Sequence, residues 1–93
     1  MATYGWIITK DHLAFDDAKP GTNCNAIGVI GPRDCVHTEH EIKSHGLPFK
    51  MYDDDDELYY EGFLLGGDGF EPLEDFGTPN AGCTKIEVDG KLI

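Results

Sequence analysis

Apolar and polar positions alternate along this chain in short blocks, and most of the blocks have the composition of strands. Tyr4-Gly5-Trp6-Ile7-Ile8-Thr9 is dense in aromatic and β-branched residues, which pack well on a pleated surface. Ala26-Ile27-Gly28-Val29-Ile30 reads as a second short strand, closed by Gly31-Pro32. Phe49-Lys50-Met51-Tyr52 and Glu57-Leu58-Tyr59-Tyr60-Glu61 flank Asp53 to Asp56, the pattern of a β-hairpin around a polar loop. The second arm runs on through Phe63-Leu64-Leu65, with Gly62 as the place for a bulge. A last pair, Lys85-Ile86-Glu87-Val88 and Lys91-Leu92-Ile93, is joined by Asp89-Gly90, residues that tolerate the positive φ angles of a type I′ turn.

Helix signals are sparser. Thr38 followed three residues later by Glu41 fits a capping box, in which side chain and backbone satisfy each other's orphan groups. Gly46 and Pro48 stop the helix, so about two turns are predicted from Thr38 to His45. Lys10 to Phe15 offers one turn at most, capped by Asp11. Residues 16–25 and 66–82 are rich in Gly and Pro and are expected to be irregular. These elements predict an α+β fold. It has a small antiparallel β-sheet, free to curl, of five or six short strands with one short helix on one side. No repeat or linker interrupts residues 1–93, and that length suits a single globular domain with its own core.

Composition narrows the function classes. Hydrophobic residues make up 40% and ten are aromatic, so the chain lacks the signature of disorder. Eighteen acids against seven bases give a net charge of −11. A chain so poor in Lys and Arg cannot neutralise phosphates, which excludes direct nucleic-acid binding and docking on an anionic membrane. No apolar run approaches 18 residues and no leader-like segment opens the chain, so a cytoplasmic protein is expected. The odd set of Cys24, Cys35 and Cys83 contains no CxxC pair and suits reduced thiols.

The charge is concentrated. Residues 51–84 hold ten acids and no Lys or Arg. Two exposed carboxylates about 7 Å apart repel by roughly 0.6 kcal/mol in water, so ten of them oppose folding appreciably. Solubility and protection of sheet edges are one use for that charge. The other is a basic partner, steered by the acids and anchored by the tyrosines between them. The candidate partner-binding residues are Asp53, Asp54, Asp55, Asp56, Glu57, Tyr59, Tyr60 and Glu61. Acids would pair with Lys and Arg, and tyrosines would fill apolar gaps.

Other chemistry fares worse. Cys35, His37, His40 and His45 cluster in sequence, but their spacing matches no zinc pattern; a small metal-binding or Cys/His-dependent protein is the rival reading, and a plain soluble accessory subunit a third. Asp53 to Glu57 lacks the ligand alternation of a calcium loop. Gly66-Gly67-Asp68-Gly69 matches no phosphate-loop motif, and its neighbouring acids would repel phosphate. Arg33, the one arginine, is expected to hold a carboxylate of the acidic tract. No catalytic residue, metal ligand or cofactor is implied, and a non-enzymatic protein is expected.

Gly31-Pro32-Arg33-Asp34, MYDDDDELYYEG (51–62) and FEPLEDFGTPNAG (70–82) resemble segments of short acidic bacterial and mobile-element proteins. That resemblance implies a microbial or phage origin. In size and charge the chain is also similar to anti-CRISPR proteins and other DNA-mimicking inhibitors. This second likeness implies a partner with a basic, nucleic-acid-binding surface, such as a CRISPR effector, which the chain would occlude.

Overall fold

The computed structural model of the chain describes residues 3–14, 19 and 25–93. Phe15, Cys24 and most of the expected 16–25 loop lie outside the described residues. Six strands form one antiparallel sheet: β1 (Gly5–Asp11), β2 (Ile30–Gly31), β3 (Leu47–Tyr52), β4 (Leu58–Leu65), β5 (Lys85–Val88) and β6 (Lys91–Leu92). Their spatial order is β2-β1-β4-β3-β5-β6, an open sheet with β4 and β3 at its centre. The fold is therefore α+β, as the pattern predicted.

Register explains the core. Trp6 stands opposite Leu64, and Met51 stands between Tyr60 and Ile86. These residues share one face with Ile8 and Phe49, and all are buried. Each such side chain withdrawn from water stabilises the fold by about 1.5–3 kcal/mol. The cover over this face is the unexpected part. Residues 66–82 are not wholly irregular, because Leu73–Gly77 forms a π-helical turn that continues into helix α2 (Thr78–Ala81). Leu73, Cys83 and half-buried Phe76 pack from this segment onto the sheet. Gly77 permits the approach, since a Cβ there would stand 2.6 Å from the Met51 sulfur. Pro79, which has no amide to donate, follows directly on the π-helical turn.

Helix α1 (Glu39–His45) covers the opposite face of β1 and β4 through its one buried residue, Ile42. Both halves of the capping box form: Thr38 Oγ1 accepts the Glu41 amide at 3.1 Å, and Glu41 Oε1 accepts the Thr38 amide at 3.2 Å. Gly46 caps the end in an extended rather than left-handed conformation (φ −77°), its amide donating to the Ile42 carbonyl.

Other boundaries differ locally. The run Ala26–Ile30 bonds Ile8 of β1 through the Gly28 amide (2.8 Å) and the Val29 carbonyl (2.9 Å) but is extended only at its end, so β2 is two residues long. The bulge expected at Gly62 lies instead on the facing strand, where the β1–β4 register shifts between Ile8 and Lys10. The Asp89-Gly90 turn has the two positive φ angles expected of it, 52° and 82°. Among the described residues, no helix is long and apolar enough to cross a membrane.

Candidate protein-interaction site

Asp53 to Glu57 form the loop joining β3 to β4, at one end of the sheet. The loop is ordered by its first aspartate. Asp53 Oδ1 accepts the amides of Asp55 (2.8 Å) and Glu57 (2.9 Å), and Oδ2 accepts the Tyr59 hydroxyl (2.9 Å). The Glu57 amide foremost, then the Tyr59 hydroxyl and the Asp55 amide, hold the Asp53 carboxyl below its ordinary 3.8. Asp56 takes a left-handed conformation (φ 63°), which an aspartate tolerates better than most residues. Asp53 thus spends its carboxylate on the loop.

Two further acids are partly matched. Thr84 donates its hydroxyl to Asp54 Oδ1 at 2.6 Å, and Lys85 reaches Asp56 Oδ1 at 2.6 Å. Asp54, Asp55, Asp56 and Glu57 nevertheless point into solvent, and Asp55 and Glu57 have no side-chain partner among the described residues. The tip is a knob of four exposed acids, shaped by Asp53 and set beside one lysine.

The remaining predicted residues go elsewhere. Tyr60 is only 6% exposed and its ring meets Phe76 edge-on at 5.1 Å, so it is a core residue that no docked partner would touch. Burial pushes its hydroxyl up to about 12. Two residues side by side on a strand normally face opposite ways; here the register slips between Met51 and Tyr52, which leaves Tyr59 unpaired with β3, and its half-buried ring also packs against the core. Glu61 lies on the open face, paired with His12 at 2.7 Å and flanked across the strands by Lys10 and Lys50. That row is nearly balanced and adds little to the tip's field.

The other acids of the tract form no continuous surface with the tip. Asp68 and Glu71 lie past the far end of β4, roughly 24 Å away by strand geometry, and Asp75 lies beside Trp6 on the segment that folds back over the sheet. Asp75 accepts the Tyr4 hydroxyl (2.7 Å) and the Trp6 indole N–H (3.1 Å). Glu71 accepts the amides of Asp68 and Gly69, both at 2.8 Å. Arg33 pairs with none of these carboxylates, because its turn lies beyond the β2 edge; Lys85, brought beside the tip by its register with Tyr52, takes the role expected of the arginine.

Among the described residues, no group of three or more His, Cys, Asp or Glu is placed to hold a metal ion. Cys35 donates to the His37 carbonyl at 3.2 Å, while burial pushes the Cys83 thiol up to about 11, far from a nucleophile's range. No protein-family model, curated protein or solved structure matches this chain.

The tip's order should depend on pH. Because the Asp53 carboxyl sits below 3.8 when folded, its contribution is fully present above that value and is lost as pH falls through the folded pKa. An NMR titration should place its midpoint below 3.8, with the Asp55 and Glu57 amides moving in step. A midpoint at or above 3.8 would show that the three hydrogen bonds do not persist in solution.

Proposed function

We propose that the chain is a non-enzymatic acidic binding module whose β3–β4 tip docks on a Lys/Arg-lined surface of a nucleic-acid-handling partner. Docking would occlude that surface, in the manner of DNA-mimic or anti-CRISPR inhibitors. The observation that supports this reading is the tip itself: four outward carboxylates on a loop that a fifth holds in shape. A preordered loop loses less entropy on binding than a floppy one. A dense negative knob also steers encounter with a basic groove. Of the ten acids of residues 51–84 only five belong to the tip, while Glu61 stands within β4 and Asp75 beside Trp6, so the reading rests on a local knob rather than on a ladder of charges along a duplex.

The test is capture at low salt, identification of what elutes as salt rises, and kinetics with the purified partner. Replacing Asp54, Asp55 and Asp56 by Asn together with Glu57→Gln, while keeping Asp53, should lower the association rate about tenfold or more. Glu39→Gln on helix α1 should leave that rate unchanged. Binding indifferent to both salt and the four tip substitutions would defeat the proposal.

A further inference from the structure

At the end of the sheet opposite the tip lies an open groove of about 340 Å³, lined by His45, Leu47, Leu64, Leu65, the backbone of Gly66–Gly69 and Val88. Its size falls near the lower end of small-ligand sites, roughly 300–1,000 Å³. Leu47, Leu64 and Val88 share one face of the sheet by register. Leu47 is 47% exposed, an unusual amount for a leucine in a strand. Ile93 extends the apolar wall, its Cδ1 standing 2.5 Å from where a Cβ on Gly69 would lie.

The rim is charged with one predominant sign. The groove lining includes Asp68 and no Lys or Arg. The Glu71 carboxylate abuts Gly67, where an added Cβ would be 2.5 Å from Glu71 Oε1. Asp89 follows Val88 at the turn, and Lys91, opposite Val88, compensates one charge. A second copy of a chain carrying −11 would meet repulsion here. A basic segment would find both an apolar slot and counter-charges.

We infer that this groove binds a basic protein segment, seating one apolar side chain between Leu47, Leu64 and Val88 while flanking Lys or Arg residues meet Asp68, Glu71 and Asp89. The site is separate from the hairpin tip and stands whether or not the tip has a partner. It provides a second contact, at the other end of the sheet.

NMR titration of the full chain with a synthetic peptide of alternating Lys and Leu is the test, beside a Glu/Leu peptide of equal length. The Lys/Leu peptide should shift the amides of Leu47, Gly69 and Val88 in a saturable way. Val88→Lys should weaken that response at least tenfold, and Asp68→Asn should weaken it severalfold, with the rest of each variant's spectrum unchanged. A milder variant, Val88→Thr, removes apolar contact without adding charge and should fall between wild type and Val88→Lys. Shifts confined to residues 53–57 would overturn the inference while leaving the tip reading intact. Equal response to the Glu/Leu peptide, no saturable response, or protein self-association through Leu47 and Val88 would overturn it as well.

Discussion

Gly62→Ala is expected to destabilise the domain by about 3 kcal/mol, the upper part of the range for forced overpacking. Gly62 sits in the central strand, opposite Ile8 on one side and Phe49 on the other. A Cβ there would fall 1.9 Å from the Ile7 carbonyl oxygen and 2.8 Å from Phe49 Cζ. The first contact is with backbone, so no rotamer change relieves it; β1 and β4 must move apart. In a domain of this size 3 kcal/mol lowers the melting temperature by about 12–24 °C. Gly82→Ala is the control, because its Cβ meets nothing within 4 Å and only the left-handed φ of 71° is unfavourable. That should cost about 1–2 kcal/mol. Chemical denaturation showing equal losses for the two variants would refute the interstrand clash.

Trp6→Ala should cost about 4 kcal/mol, within the span seen for truncating large buried aromatics. Trp6 is 4% exposed, lies 5.5 Å from the Phe76 ring, and donates its indole N–H to Asp75. It therefore ties the π-helical segment to the sheet both by packing and by a hydrogen bond. Trp6→Phe keeps most of the packing and loses the bond, so roughly half that cost is expected. Urea unfolding of the three proteins, followed by circular dichroism because the variants lack the only tryptophan, separates the two contributions. If Trp6→Phe proved as damaging as Trp6→Ala, the indole N–H rather than the ring area would be what anchors the segment.

Local chemistry makes much of the fold legible in the sequence. The Thr38–Glu41 box and the Asp89-Gly90 turn act within a few residues, so their sequence signal is complete. The π-helical turn and α2 were not readable for the opposite reason. Gly77, Pro72 and Pro79 argue against helix locally, and only the burial of Leu73 and Phe76 against β1, β3 and β4 outweighs them. Likewise β2 shrank to two residues because Gly28 takes a positive φ of 91°, so Gly28 and Val29 still bond Ile8 through the backbone but do not continue an extended strand.

The candidate site was half readable. Four acids, Asp53 to Asp56, between two strand-like runs had to lie at a hairpin tip, and they do; Glu57, expected to open the second strand, joins them because β4 starts at Leu58. That Tyr59 and Tyr60 both lie against the core goes with the slip at Met51–Tyr52, for which the sequence carries no sign. The matching of Asp56 by Lys85 and of Glu61 by His12 arises across 29 and 49 residues. Charge counting within residues 51–84 excluded both partners, and so overstated the free negative charge.

Both outer strands of the sheet are only two residues long, Ile30–Gly31 on one side and Lys91–Leu92 on the other. One is closed off by Pro32, which has no amide to donate, and the other begins with a lysine. A neighbouring molecule seeking to extend the ladder would find two rungs and then nothing to hold. Concentrated solutions should accordingly resist fibre growth for as long as the native state persists.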